Sequence, residues 1–158
     1  MSMLLRKMTQ KSFQEYLDKA IPAYASNNIE SGRWLEEGAL ERSRADHESL
    51  LPDGLNTKNN YLFDIVSRSD NCIVGFLWLA VEDKFGSTSA FIYDIAIYES
   101  YRRLGYARQA LKELELFVKD LGICKIGLHV FHQNKSAQSL YESMGFSVVS
   151  SNMAKSIA

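Results

Sequence analysis

Residues 90–122 read AFIYDIAIYESYRRLGYARQALKELELFVKDLG, and this stretch decides the fold that the sequence predicts. Residues 90–98 are apolar at both parities apart from Asp94, a pattern typical of a strand covered on both faces. Residues 105–121 repeat apolar side chains at helical spacing, and Gly122 follows where a helix-ending glycine belongs. The apolar stripe consists of Ala107, Ala110, Leu111, Leu114, Phe117, Val118 and Leu121. A buried strand leading into an amphipathic helix predicts a mixed α/β domain.

The segments before this stretch predict one strand, then two helices and then two strands. Ser12 and Glu15 have the spacing of a capping box, which opens a helix whose apolar face continues to about residue 25. The other predicted elements are an edge strand over residues 3–8, a helix over residues 34–50, and strands over residues 61–67 and 72–81.

The segments after the stretch predict a strand, a short helix and a last strand. These are residues 124–131, a helix carrying Ala137, Leu140, Tyr141 and Met144 that Gly145 closes, and residues 146–150. Together with the upstream strands they predict a sheet of about six to seven strands, flanked by about four helices.

Length and composition indicate one soluble domain over residues 1–158. Apolar residues make up 46% of the chain, and the formal charge of −1 excludes the strong positive field of many nucleic-acid binders. The longest apolar run, Cys72–Val81, is too short to cross a bilayer. Only two consecutive leucines precede the first charges, so no secretory signal is predicted and we expect a cytoplasmic protein.

Two isolated cysteines, Cys72 and Cys124, indicate neither a disulfide framework nor a cysteine metal site. We interpret both as core thiols. No cluster of His, Asp and Glu has the spacing of metal ligands, so no catalytic metal is predicted.

The loop over residues 101–108, YRRLGYAR, lies between the buried strand and the strongest helix. Unpaired backbone N–H groups and the helix dipole favour an anion there. Gly105 and Ala107 are small enough for a phosphate to approach, and three arginines surround the turn. The alternative is a basic loop with a turn glycine, and this segment alone favours neither. Neither a P-loop nor a Rossmann glycine motif is present.

Two motifs resemble those of the GNAT superfamily of acetyl-CoA-dependent N-acetyltransferases. Arg102-x-x-Gly105-x-Ala107 resembles its first signature, and the segment from Asn134 to Phe146, NKSAQSLYESMGF, resembles its second. Both occur in the expected order, separated by a helix and a strand. The resemblance covers about residues 60–150 and implies a sheet with two splayed parallel strands. Three further segments are similar to a bacterial branch of the superfamily: residues 51–57, residues 91–95 and residues 152–155.

The resemblance also implies how acetyl-CoA is held and how the reaction proceeds. The pantetheine arm would bond to the backbone of Ile95, Ala96 and Ile97, and Asn134 matches a position that can bond the cofactor or cap its helix. The diphosphate would sit on the loop formed by Arg102, Arg103, Leu104, Gly105, Tyr106, Ala107 and Arg108. The acceptor amine attacks the thioester directly in a ternary complex, so no covalent enzyme intermediate is needed.

Two residues are candidates for proton transfer. Tyr141 matches the tyrosine that protonates the leaving thiolate in many family members, and a core aromatic is the alternative. Asp94 is the candidate base, because a lone carboxylate in an apolar strand is costly to bury and its pKa should rise. A structural carboxylate bonded to its neighbours explains Asp94 equally well. His129 is a weaker candidate, more often a wall residue, and His47 is expected at the surface.

The acceptor side is less defined. Residues 36–53 carry six acidic and two basic side chains, which would attract a cationic amine if this helix covered the acceptor cleft. A solvated helix face explains the same charges. Trp34, Trp78 and Tyr93 are candidates for the pocket wall, although large aromatics are usually core residues.

The leading hypothesis is therefore an N-acetyltransferase acting on a primary amine of a small molecule, a peptide N-terminus or a lysine. The runner-up is a non-catalytic acyl-CoA sensor that regulates a partner, and a third reading is a nucleotide-binding module that uses the same loop. We expect no nucleic-acid or membrane partner, and a homodimer is left open.

Overall fold

The computed structural model describes residues 4–157. Its elements are β1 (Leu5–Lys7), α1 (Gln10–Glu30), α2 (Ala39–Leu50), β2 (Asn60–Val66), β3 (Ile73–Lys84), β4 (Ser87–Ile97), α3 (Tyr106–Asp120), β5 (Ile126–Leu128) and α4 (Lys135–Ser143). Short 3-10 helices lie at Gly54–Asn56 and Glu99–Tyr101. Over the described residues, no helix is long and apolar enough to span a membrane.

The strands form one mixed sheet in the order β1-β2-β3-β4-β5. The first three pairings are antiparallel and the last, between β4 and β5, is parallel. The mixed α/β architecture with four α-helices in the described part of the chain confirms that prediction. The prediction of six to seven strands was wrong, because the sheet formed by residues 4–157 has five.

The missing strand is the one predicted over residues 146–150. After α4 ends at Ser143 and Gly145 adopts a φ of +94°, residues 146–150 do not pair with the sheet. Val148 and Val149 are 76% and 88% exposed, so no layer of the molecule covers their apolar side chains. Local strand propensity alone does not create a ladder partner.

The sheet separates two apolar layers. On one side, which we call the α3 face, Ile65, Leu77 and Leu79 pack with residues of α3 such as Leu111 and Leu114. On the other, the α1 face, the sheet packs against α1 and supports α2. The members of this second cluster are Met8, Phe13, Tyr16, Ala20, Leu51, Leu62, Phe76 and Trp78. Each fully buried leucine contributes about 1.5–3 kcal/mol to folding, so both layers hold the helices firmly on the sheet.

An irregularity in β4 sets which side chains reach each face. Trp78 of β3 pairs with Asp94, but the next residue, Leu79, pairs with Ile92. Tyr93 is therefore an additional residue in β4, which makes a β-bulge. Sequence patterning did not predict this bulge.

The bulge places two consecutive side chains on the same side of the sheet. Ile92 and Ile95 both belong to the layer on the α3 face. Between them, Tyr93 stacks on Trp78 at 4.8 Å and Asp94 bonds to α1, so both lie on the α1 face. Both faces of β4 are therefore covered by apolar layers, and Asp94 is the one carboxylate of the strand, on the α1 face.

The pairing of the two parallel strands ends just before the bulge. Pairing between β4 and β5 runs only from Ala90 with Ile126 to Ile92 with Leu128. From Asp94 to Ile97, β4 pairs with β3 on one edge, and the edge toward β5 has no ladder partner in the part of the chain described. The parallel pair that the family resemblance implies is present, and β5 is shorter than the strand predicted over residues 124–131.

Several local predictions shifted. The capping box is formed by Thr9 and Ser12, three residues before the predicted one, with Thr9 Oγ1 accepting from the Ser12 amide at 3.1 Å. The second helix begins at Ala39 and not at residue 34, because Gly38 precedes it with a φ of +76°. Cys72 and Cys124 are exposed, so the prediction of two core thiols was wrong. Of the predicted edge strand over residues 3–8, residue 3 lies outside the described residues.

Candidate active site

The predicted phosphate loop connects the end of β4 to the first turn of α3. Arg103 and Gly105 both have positive φ values, +66° and +84°, and Gly105 is the residue before the helix. No side chain caps the N-terminus of α3, so the first amides of Tyr106 and Ala107 have no capping acceptor among the described residues. These amides and the helix dipole make a surface that favours an anion.

Three arginines lie around this loop. Arg102 Nε donates to the Ile97 carbonyl at 3.0 Å, which ties the loop to the end of β4. Arg108 Nη2 donates to Ser143 Oγ at 2.8 Å, which links α3 to α4. Arg103 is exposed, and none of the three has an acidic partner among the described residues. Their positive charges therefore remain available to an anion.

The backbone of Ile95, Ala96 and Ile97 continues β4 beyond the end of its pairing with β5, and we call this open edge of β4 the gap. Ile95 and Ile97 point to the α3 face and Ala96 to the α1 face. Gly75 lets β3 approach this segment closely, since a Cβ there would clash with the Ala96 carbonyl oxygen and lie 3.0 Å from Ile97 Cα. This segment is thus held by β3 along one edge, while the edge toward β5 has no ladder partner among the described residues.

Asp94 lies at the bulge, on the α1 face, and is partly buried. The Tyr16 hydroxyl donates a hydrogen bond to Asp94 Oδ2 at 2.8 Å. Burial raises the pKa of Asp94 to about 6, although the bond from Tyr16 and the positive charge of His47 oppose the rise. The predicted rise in the pKa of Asp94 is confirmed, and the carboxyl is also bonded to a neighbour, as the structural alternative had it.

Tyr16 is the partner that sequence analysis missed. It lies in α1, is 1% exposed, and its ring packs against Phe76 with 4.6 Å between centroids. Burial, and then the charge of Asp94, raise the pKa of Tyr16 well above its usual value near 10. The hydroxyl therefore stays protonated and is a permanent donor to the carboxylate.

His47 was expected at the surface, and this prediction was wrong. It lies in α2 with 8% of its surface exposed. Its ring contacts Tyr24 edge-on at 5.7 Å and lies 6.0 Å from the ring of Trp78. Ser43, one turn earlier, offers its carbonyl oxygen to His47 Nδ1 at 2.8 Å. The only sequence signal was the helical spacing of His47 and Ser43, both of which face α1.

Tyr141 lies on the opposite side of the sheet from Asp94. It lies in α4, packs against the layer on the α3 face, and has its ring edge-on to Phe146 at 5.7 Å. Burial, and then the charge of Asp94, raise the pKa of Tyr141 to about 12. The phenol is protonated at neutral pH and is close enough to Asp94 for the two groups to influence each other.

The other two predicted residues are Asn134 and His129, and both are described by their local contacts. Asn134 caps α4, with Oδ1 accepting from the Ala137 amide at 3.3 Å, so the capping alternative is observed. His129 is exposed, and its ring lies edge-on to Phe131 at 5.0 Å. Desolvation, and then the charge of Arg33, lower the pKa of His129.

The acidic residues over 36–53 lie mainly on exposed surface, which agrees with a solvated helix face. Of the aromatic candidates, Trp78 is 2% exposed and belongs to the core. Tyr93 is partly buried and donates to Glu82 at 2.8 Å, and Trp34 lies edge-on to Tyr24 at 5.4 Å. Within residues 4–157, no three His, Cys, Asp or Glu side chains come together as metal ligands would.

Comparisons with known proteins agree with this geometry. Residues 28–146 match the model of the "Acetyltransferase (GNAT) family". Two Bacillus subtilis (strain 168) proteins match 99% of the chain: "Uncharacterized N-acetyltransferase YycN", 38% identical and covered to 100%, and "Uncharacterized N-acetyltransferase YdgE", 32% identical and covered to 99%. The crystal structure of YycN superposes with a TM-score of 0.92 over 98% of both chains.

Proposed function

The chain belongs to the GNAT acetyltransferase family, and from this premise we propose that it transfers an acetyl group from acetyl-CoA to a primary amine. The observation that carries the proposal is the placement of Asp94 and Tyr141. Asp94 lies on the α1 face, Tyr141 packs against the layer on the α3 face, and the charge of Asp94 raises the pKa of Tyr141, which supports placing both at the open edge of β4. A candidate base and a candidate acid thus flank one opening. The acceptor is a small-molecule amine, a peptide N-terminus or a lysine.

The residues at the gap fit the coenzyme. Gly105 adopts a left-handed backbone, and no side chain caps the helix that follows it, so the first amides of α3 are left for an anion. The diphosphate would bind these amides together with Arg102, Arg103 and Arg108, in the loop that also holds Leu104, Tyr106 and Ala107. The open edge of β4 at residues 95–97 would bond the pantetheine amides, and Asn134 Nδ2 is a further donor.

Bound acetyl-CoA supplies an activated thioester carbonyl for the amine to attack. The role of Asp94 is to take the proton from the incoming ammonium, directly or through a water. With a pKa of about 6 it is ionised at neutral pH yet basic enough to accept a proton. Tyr16 holds the carboxylate in place from the α1 face.

Tyr141 is placed to protonate the leaving thiolate. Its phenol has a pKa of about 12 and is therefore fully protonated at the pH of the reaction. It reaches the gap from the α3 face, the side on which the loop at residues 102–108 begins α3. A direct transfer needs no enzyme nucleophile, and both cysteines are exposed outside this group of residues.

The test is thiol release from acetyl-CoA in the presence of a library of amines, with mass spectrometry of the products. We expect amine-dependent thiol release, an N-acetylated product, and a loss of about 10²-fold or more in kcat for Asp94→Asn, the usual scale for a missing base. Asparagine keeps the shape and can still accept the Tyr16 hydrogen bond. Tight binding of acetyl-CoA without thiol release for any amine would contradict the proposal and favour a non-catalytic sensor.

A further inference from the structure

A groove between α1 and α2 lies on the α1 face, the same face of the sheet as the candidate base Asp94. Its volume is about 380 Å³, and its apolar walls come from both helices. Its charged lining residues are Asp18, Arg44 and Glu48. His47 also lines the groove, although only 8% of its surface is exposed. It therefore lies between the groove and the sheet.

The hydrogen bond to Ser43 determines the tautomer of His47. A carbonyl oxygen can only accept, so Nδ1 of His47 must carry the proton in the bond to the Ser43 oxygen. In the neutral imidazole, Nε2 then has a free lone pair. No partner for Nε2 occurs among the described residues. His47 is thus oriented as a proton acceptor.

His47 is also near Asp94. Its ring lies 6.0 Å from that of Trp78, and Trp78 is the residue opposite Asp94 across β3 and β4. A positive charge on His47 lowers the pKa of Asp94, which agrees with this proximity. The titratable groups facing Asp94 are therefore Tyr16 from α1, His47 from α2 and Tyr141 from α4.

After each turnover Asp94 must lose the proton that it has taken. Neither phenol can accept it, because both stay protonated at neutral pH and neither has basic character there. An imidazole nitrogen with a free lone pair can accept a proton. His47 is the group facing Asp94 that also reaches a water-accessible groove.

We propose that His47 is a positioning residue that carries the proton from Asp94 to water in the groove between α1 and α2. This inference rests on the proposed function. The amine N–H bond breaks as the Asp94 O–H bond forms. That O–H bond then breaks as its proton passes to a bridging water, and this water gives one of its own protons to His47 Nε2, which makes an imidazolium. Groove water takes the proton from Nε2, and Nδ1–H stays bonded to the Ser43 oxygen throughout.

The experiment compares two substitutions at His47 in the full chain. His47→Asn keeps an N–H donor for the Ser43 oxygen but cannot carry a proton. We expect kcat to fall by about 10-fold or more, at the low end of general acid–base effects, with the KM values for acetyl-CoA and amine unchanged. His47→Ala leaves space open to the groove, and added imidazole should restore kcat while thiazole, a non-basic ring of similar shape, should not.

The outcomes separate the two proposals. Wild-type kcat in His47→Asn, or equal rescue of His47→Ala by thiazole and imidazole, would overturn the relay and leave the acetyltransferase proposal intact. Absence of amine-dependent thiol release from the wild type would overturn both. If either variant unfolds by circular dichroism, His47→Gln replaces it, and wild-type kcat in that variant would again overturn the relay.

Discussion

The two ends of the candidate active site are built in different ways. The coenzyme end is a contiguous loop, residues 102–108, made of backbone amides, a left-handed glycine and exposed arginines without acidic partners among the described residues. The amine end consists of Asp94, Tyr16 and His47, which come from three different elements and are buried or half-buried. CoA binding at the first end should therefore be lost when the backbone conformation changes. Turnover at the second end should be lost when a proton or a hydrogen bond is removed.

The largest effect is expected at the coenzyme end. Gly105→Glu places a negative charge and a side chain against the diphosphate site, where the backbone has a φ of +84°. We expect the affinity for CoA, measured by calorimetry, to fall by about 10²-fold or more, because opposed like charges cost several kcal/mol.

Gly122→Glu is the matched control for this substitution. Gly122 follows the other end of α3 with a φ of +79° and nothing within 4 Å of a built Cβ. Both variants should lose about 1–2 kcal/mol of folding free energy through the left-handed conformation. CoA affinity retained in Gly105→Glu, or lost equally in both, would mean that the loop does not bind the diphosphate.

A smaller effect, on turnover alone, is expected from Tyr141→Phe. Removing the acid should lower kcat by about 10²-fold with little change in acetyl-CoA affinity. Tyr61→Phe is the control, since Tyr61 packs on Phe117 of the same face, with 5.1 Å between ring centroids. Steady-state kinetics decide, and an unchanged kcat would remove Tyr141 from the mechanism.

The smallest effect is a shift in pH dependence at the amine end. Asp94 must be ionised to act as a base, so kcat/KM should fall as the pH drops below about 6. Tyr16→Phe removes the donor that favours the charged carboxylate, so the pKa of Asp94 rises further. We expect the acidic limb to move up by about one pH unit, the size expected for a hydrogen bond to a charged group.

Tyr98→Phe is the control for the pH profile. Tyr98 belongs to the same face, and its ring lies 6.1 Å from that of Phe76, but its hydroxyl does not bond to Asp94. Its acidic limb should match that of the wild type. If the acidic limb of kcat/KM in Tyr16→Phe lies at the same pH as in the wild type, ionisation of Asp94 does not set the pH dependence.

The same contrast explains which features the sequence predicted. The loop at residues 102–108 and helix α3 were predictable because their motif and periodicity are local. The bond between Tyr16 and Asp94 joins residues 78 positions apart, and Tyr16 occupies an ordinary apolar position of a helical stripe. Burial of His47 depends on how α2 packs, which no periodicity reveals. The predicted strand over 146–150 was wrong because strand propensity does not specify a ladder partner.

The bulge at Tyr93 adds a side chain to the α1 face without changing the face of its neighbours. Without Tyr93, regular alternation would still place Ile92 and Ile95 on the α3 face and Asp94 on the α1 face, opposite Trp78. The ring of Tyr93, which stacks on Trp78 beside the carboxylate, is therefore the element that the strand gains from its additional residue. A chain shortened by this one residue would keep the candidate base and lose the aromatic wall next to it.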